Sequence, residues 1–166
     1  MAGQITPTHL FRVRMDSRML SLLKSLRERN AQSIFGAVAE VLAQEGLTLL
    51  PASSFMAAHM PAPGVLSGRQ PTEEEERDMK LGLRAAKTTS SLEIGQTVVV
   101  KQGTILAVEA FEGTNAAIRR GAKLGGKGIV VVKVAKEGHD MRFDIPVVGL
   151  KTLRVLRRAR AAALAV

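Results

Sequence analysis

Apolar residues recur at helical spacing in two early stretches of the chain. Met19, Leu22, Leu23 and Leu26 line one side of a helix that starts at Asp16 or Ser17, with Arg18, Lys24 and Arg27 elsewhere around it. A second helix follows, capped by Asn30 or Ser33, burying Ile34, Val38 and Leu42 and ending at Gly46. The run LTLLP at 47–51 reads as a short strand. Residues 60–68 hold Pro61, Pro63, Gly64 and Gly68 and form a loop. The best-marked helix start comes next: Thr72 and Glu75 stand three apart as a capping box, and Met79, Leu83 and Ala86 supply an apolar stripe. Two β-branched runs around Lys101-Gln102-Gly103 predict a β-hairpin over 97–110. A short helix opens at Gly113-Thr114-Asn115, capped by Thr114 or Asn115, and ends at Gly125-Gly126. Residues 128–135 (GIVVVKVA) form a strand buried on both faces. The polar stretch 136–144 is a loop, and a last helix begins near Thr152 and runs into AAALAV. The fold class is α/β: a mixed β-sheet with flanking helices in one main domain, 69–166, preceded by a helical connecting segment, 1–68.

Composition narrows this picture. Of the 166 residues, 46% are hydrophobic and 23% charged, which permits a packed core, and only 3% are aromatic, so Leu, Val, Ile, Ala and Met must build it. The absence of cysteine excludes disulfides and thiolate chemistry and suits a reducing compartment. No apolar run is long enough to span a bilayer, and the first residues lack the apolar stretch of a signal peptide, so a cytoplasmic location is expected. The net charge of +9 favours anionic partners, whether nucleic acid, lipid surface or phosphorylated substrate, without choosing among them; a solvated basic surface explains it equally.

Candidate chemistry concentrates between Glu109 and Asp144. Glu109 and Glu112 interrupt an apolar run at the end of the hairpin, where either carboxylate can face a site or pair with a lysine. Gly113, Thr114 and Asn115 offer the open amides of a helix start, which bind phosphate, and Arg119 and Arg120 can add charge-assisted hydrogen bonds. KVAKEGHDMRFDIP, just past the apolar strand, interleaves Lys133, Lys136 and Arg142 with Asp140 and Asp144. Two aspartates four apart among cations suit a pyrophosphate held through a hard cation, magnesium or another divalent ion. A salt-bridged turn is the plain alternative, and His139 beside Asp140 is more ordinary as a structural histidine. The acidic run from Glu73 to Glu76 is explained by helix capping and the helix dipole. No phosphate-binding Gly-rich loop, dinucleotide fingerprint, zinc spacing or GxSxG elbow is present.

At these residues the chain resembles the LpxI family. The specific stretches are 92–120 (LEIGQTVVVKQGTILAVEAFEGTNAAIRR) and 132–149 (VKVAKEGHDMRFDIPVVG), with weaker likeness over RNAQSIFGAVAEVLAQEGLTLLPAS and RQPTEEEERDMKLGLRAAK. The resemblance implies hydrolysis of the pyrophosphate of UDP-2,3-diacylglucosamine to UMP and 2,3-diacylglucosamine 1-phosphate (lipid X), a step of lipid A biosynthesis requiring a divalent cation. It places the essential aspartate at Asp144, holding metal with Asp140 or with Glu109 and Glu112, while Lys133, Lys136 and Arg142 stabilise phosphate oxygens. The apolar stretch 55–65 is the candidate acyl groove. Three departures follow from the same resemblance, one being that the chain is expected to stop inside or just after its last helix, where members continue with further strand and helix. MAGQITP resembles an internal family segment, so the amino-terminal lobe is expected to be absent, with self-association into a homo-oligomer over the surface it would cover. Asn115 stands where members commonly carry an aspartate. Contact with the inner-membrane surface is a further expectation. Two other readings stand beside the enzyme: a non-catalytic remnant that binds a nucleotide-lipid, and a basic nucleic-acid-binding module, disfavoured by the scarcity of aromatic stacking residues.

Overall fold

The computed structural model describes residues 15–27, 31–51, 53–135 and 147–166. The chain divides into two compact units, Met1–Pro51 and Ala52–Val166.

The first unit holds helices α1 (Ser17–Ser25) and α2 (Ala31–Gln44). Asp16 caps α1, its carboxylate accepting the Met19 N–H at 2.8 Å, as the sequence predicts. Asn30, one of the two candidate caps of α2, lies outside the described residues. α2 buries Ile34 and Ala39, and it closes with a Schellman motif. Leu47 N–H bonds to the Leu42 carbonyl at 2.9 Å and Gly46 N–H to that of Ala43 at 3.0 Å, with Gly46 at φ +76°. The strand expected at 47–51 does not form. Leu47 spends its N–H on the helix end, Leu47 and Leu50 are exposed, and no partner strand accompanies them among the described residues.

The second unit is a three-layer α/β/α sandwich. Its helices are α3 (Glu73–Ser91), α4 (Thr114–Gly125) and α5 (Leu150–Ala159); its strands are β1 (Thr97–Lys101), β2 (Thr104–Val108), β3 (Val130–Lys133) and β4 (Ala163–Ala165). The sheet order is β2-β1-β3-β4, with β1 antiparallel to both β2 and β3, and β3 parallel to β4. This is the mixed sheet expected from the hairpin and the apolar strand. Val98, Val99 and Val100 of β1 and Val130, Val131 and Val132 of β3 are all buried, because helices cover both faces of the two inner strands. α3 covers one face over Val98, Val100, Val130 and Val132. α4 and α5 cover the other, where Ile118, Val155 and Leu156 meet Val99, Ile129 and Val131. Burying one such side chain contributes about 1.5–3 kcal/mol, so the six valines are the main source of the sheet's stability.

Small residues let the helices approach the sheet. A Cβ added to Gly82 of α3 would stand 2.6 Å from Val132 Cγ2, and one added to Gly121 of α4 would stand 2.5 Å from Val99 Cγ1. The buried line of α3 is Asp78, Gly82, Ala86 and Ser90. Leu83, expected in that stripe, is 43% exposed, since its helical position falls outside the line of closest contact. Asp78 fastens α3 to the hairpin: its carboxylate accepts the N–H groups of Gln102 at 2.8 Å and Gly103 at 2.7 Å. Gln102 and Gly103 take φ +49° and +74°, the left-handed pair of a two-residue type I′ turn. The capping box is present as expected. Thr72 accepts the Glu75 N–H, Glu75 accepts the Thr72 N–H, and Arg69 grips both Glu75 oxygens at 2.8 and 2.7 Å while also donating to the Ala162 carbonyl.

The carboxy-terminal stretch differs from expectation. AAALAV does not extend the last helix. Arg160 adopts the left-handed conformation (φ 50°, ψ 44°), Ala161 N–H returns to the Leu156 carbonyl, and Ala162 N–H joins the Ile129 carbonyl, delivering Ala163–Ala165 to the sheet. Pairing with β3 overrides the helix propensity of alanine.

Candidate functional site

The carboxyl ends of β2 and β3, the start of β1 and the first turn of α4 all lie at one end of the sheet, because β1 runs antiparallel to its neighbours. Thr97 of β1 pairs with Lys133 of β3 on one side. On the other, the Glu109 N–H bonds to the Thr97 carbonyl at 2.8 Å. Three candidate positions therefore sit side by side across the sheet end: Glu109, Thr97 and Lys133. Val134 N–H bonds to the Gln96 carbonyl at 3.0 Å, and the chain leaves this same end at Ala135. Lys136, His139, Asp140, Arg142 and Asp144 lie outside the described residues.

Gly113 ends the connection from β2 at φ +84° and is the N-cap of α4. The sequence reading placed the cap on Thr114 or Asn115. In the structure neither caps: the cap is a glycine with no side chain to accept a hydrogen bond, and the Thr114 hydroxyl is engaged elsewhere. Thr97 Oγ1 donates to Thr114 Oγ1 at 3.3 Å, and Thr114 Oγ1 donates to Glu109 Oε1 at 2.9 Å. Glu109 Oε2 and Asn115 Oδ1 are buried and have no hydrogen-bond partner among the described residues. A buried acceptor left unpaired costs about 1–3 kcal/mol, more for a charged group. The positive end of α4 returns about 0.3–1 kcal/mol to a carboxylate beside it. The second term is the smaller, so Glu109 is suited to a further cationic partner.

Glu112 is placed differently. Its carboxylate accepts from the Arg120 guanidinium and, at 3.1 Å, from the Ala110 N–H, while Arg120 also donates to the Val108 carbonyl at 2.7 Å. The arginine and the amide hold the Glu112 carboxyl below the usual carboxylate range. The structure thus separates the two glutamates: Glu109 turns to the α4 start and Glu112 locks the β2–α4 connection. Arg119 is exposed a turn along α4.

Glu109 Oε2 and Asn115 Oδ1 are hard oxygen donors, and both lack partners among the described residues, so the pair fits the ligand preference of magnesium. Among the described residues no three His, Cys, Asp or Glu side chains gather into a metal cluster. Thr97 is the member of the site that sequence reasoning missed. Its hydroxyl is fully buried at the head of an apolar strand, which the sequence does not disclose.

Comparison with known proteins bears on this arrangement. Residues 62–166 match the LpxI C-terminal domain and residues 1–59 match the LpxI N-terminal domain, so a chain expected to lack the amino-terminal lobe carries sequence of that domain. The chain is similar to a protein of Caulobacter vibrioides named UDP-2,3-diacylglucosamine pyrophosphatase LpxI, with 31% identity over 171 residues that cover 96% of this chain. It spans 60% of that relative's length. Two matching domains in the family's order, covering the hairpin, α4 and the strand that converge on Glu109, make the assignment: the chain belongs to the LpxI family.

Proposed function

We propose that this protein hydrolyses the pyrophosphate bond of UDP-2,3-diacylglucosamine, releasing UMP and lipid X, in the cytoplasm. The observation that supports this best is the meeting of Glu109, the α4 start and Lys133 at one sheet end, in a chain of the LpxI family. That end offers amides and a cation to phosphate and a carboxylate to a metal. A pyrophosphate arriving beside Glu109 alone would be repelled, which is why a divalent cation between them suits the chemistry. Glu109, with Asn115 and, from the sequence, Asp144 and Asp140, would hold magnesium. When bound, the ion stabilises charge developing on the phosphate oxygens. Thr114 and Asn115 orient the phosphates through their open amides, next to Gly113, whose own N–H is spent on the Ala110 carbonyl at 3.3 Å, and Thr97 fixes the Thr114 hydroxyl on Glu109. Lys133, with Lys136, Arg142 and Arg119, neutralises phosphate charge. No covalent nucleophile is required. Glu112 is left to its pairing with Arg120. Self-association into a homo-oligomer is part of the same reading.

The test is release of UMP from UDP-2,3-diacylglucosamine with magnesium, followed beside the thermal midpoint. Asp144→Ala is expected to remove turnover, about 100-fold or more, with the midpoint unchanged, as for a group acting on the transition state. Retained turnover, or loss that tracks unfolding, makes Asp144 a salt-bridge residue and overturns its assignment. Release of a product other than UMP overturns the reaction.

A further inference from the structure

The α4–α5 layer carries charge of one sign. Neither helix contains an acidic residue. In α5 and its cap, Lys151, Arg154, Arg157, Arg158 and Arg160 fall within ten residues, and among the described residues none of them takes part in an ion pair. α5 turns Val155 and Leu156 into the core. Helical spacing then places Leu150, Arg154 and Arg157 along the outward crest, with Leu153 on one flank and Lys151 and Arg158 on the other. All six are exposed, Leu150 by 71% and Leu153 by 47%. Lys123 and Leu124 of α4, packed beside α5, are likewise exposed and continue the mixture of cation and leucine.

Covering the sheet does not account for this face. Arg157 and Arg158 complement the negative end of the helix dipole, but Lys151 stands at the second residue, where a cation is disfavoured. Lys151 and Arg154, then Arg154 with Arg157 and Arg158, are like charges at i,i+3 and i,i+4 spacing, which repel. Exposed leucines at the same crest add a second disfavoured feature. Cations and leucines together are what an interfacial helix presents to lipid. Nucleic acid fits less well, since no aromatic residue lies in α4 or α5 to stack on a base.

We propose that the outer face of α5, extended by Lys123 and Leu124 of α4, docks the protein on an anionic phospholipid bilayer, with Lys151, Arg154 and Arg157 at the phosphate headgroups and Leu150 and Leu153 entering the acyl boundary. This does not rest on the catalytic reading, and a vesicle assay reads it without turnover. The full chain is sedimented with sucrose-loaded vesicles of phosphatidylcholine, with and without phosphatidylglycerol, at low and high ionic strength. Binding is expected to require phosphatidylglycerol and to weaken with salt. Each cation near such a surface strengthens partition about fivefold, so the triple variant Lys151→Gln, Arg154→Gln, Arg157→Gln should lose about 100-fold. Leu150→Ser with Leu153→Ser should remove the binding that survives high salt. Thermal midpoints verify that these exposed changes leave the fold intact; should the triple variant unfold, Arg154→Gln alone carries the test with a loss of about fivefold. Equal binding to neutral vesicles, no binding to anionic ones, or binding unchanged by the variants overturns the proposal. So does a preference for single-stranded RNA without vesicle binding, which would make this a nucleic-acid face.

Discussion

Glu109 contacts Thr114 through one oxygen and keeps the other buried without a partner among the described residues. Such a group is tolerated at a cost, so its charge should be separable from the fold. Glu109→Gln is expected to raise the thermal midpoint in the absence of metal, by about 1–3 kcal/mol at the midpoint, and to abolish magnesium-dependent turnover. Magnesium should raise the midpoint of the wild-type chain and leave that of the variant where it was. A variant that is less stable and still responds to magnesium would mean Glu109 is only a scaffold for α4. Glu109 and Thr114 are legible in the sequence because a carboxylate in an apolar run and a Gly-Thr-Asn helix start both break a local pattern. Thr97 is not, since a threonine heading a run of valines looks like any β-former. Asp78 is hidden for another reason: it follows four glutamates and an arginine and reads as one more solvated charge, whereas it is 3% exposed and holds the hairpin turn.

Among the elements, α3 is the one whose start the sequence marks most fully, and its capping box can be tested by pH. The Arg69 hydrogen bonds and the Thr72 N–H bring the Glu75 carboxyl down to about 2 from its ordinary 4.5. A depressed carboxyl stabilises above its unfolded value, so this contribution is fully present above about pH 4.5 and is lost as pH falls toward about 2. Glu75→Ala should cost about 1 kcal/mol at neutral pH, and its gap from the wild type should narrow through that window; a gap constant from pH 7 to 2 would show that the ion pair contributes nothing. The inward faces of the helices were harder to read. Hydropathy favours large residues such as Leu83, but the closest line of α3 is built from small and polar positions, because the valine-clad sheet leaves no room there. Gly121→Ala tests the same constraint on α4. Its Cβ would meet Val99, and a loss of about 1–3 kcal/mol in chemical denaturation is expected. A neutral effect would mean the helix shifts freely. The leucine run at 47–51 and the alanines before Val166 misled in opposite directions, since strand formation depends on a distant partner that local composition does not disclose.

At the scale of the whole chain, the hairpin and the apolar strand were sufficient to anticipate a mixed α/β sheet, because both announce themselves over short windows. Burial of the apolar strand on both faces was legible too, whereas the placement of a terminal strand beside β3 was not, because it depends on a partner distant in sequence. No helix among the described residues is long and apolar enough to cross a membrane. The register of the sheet also dictates an order in time. Val100 pairs with Ile105 across a two-residue turn, but with Val130 across thirty positions, and Val130 reaches Ala163 only after thirty-three more. Closing a long loop forfeits more chain entropy than closing a short one, and parallel pairing is the slowest to gain from it. The hairpin should be native in the transition state, with β4 docking afterwards. Stopped-flow refolding in denaturant reads this directly: Val100→Ala should slow folding, while Leu164→Ala should leave the folding rate nearly unchanged and speed unfolding. The reverse pattern would place the last strand in the nucleus. If the order holds, the face of β3 that receives β4 stays open while the rest of the sheet is already assembled, and this interval is when the protein is most exposed to pairing with a second unfinished copy of itself.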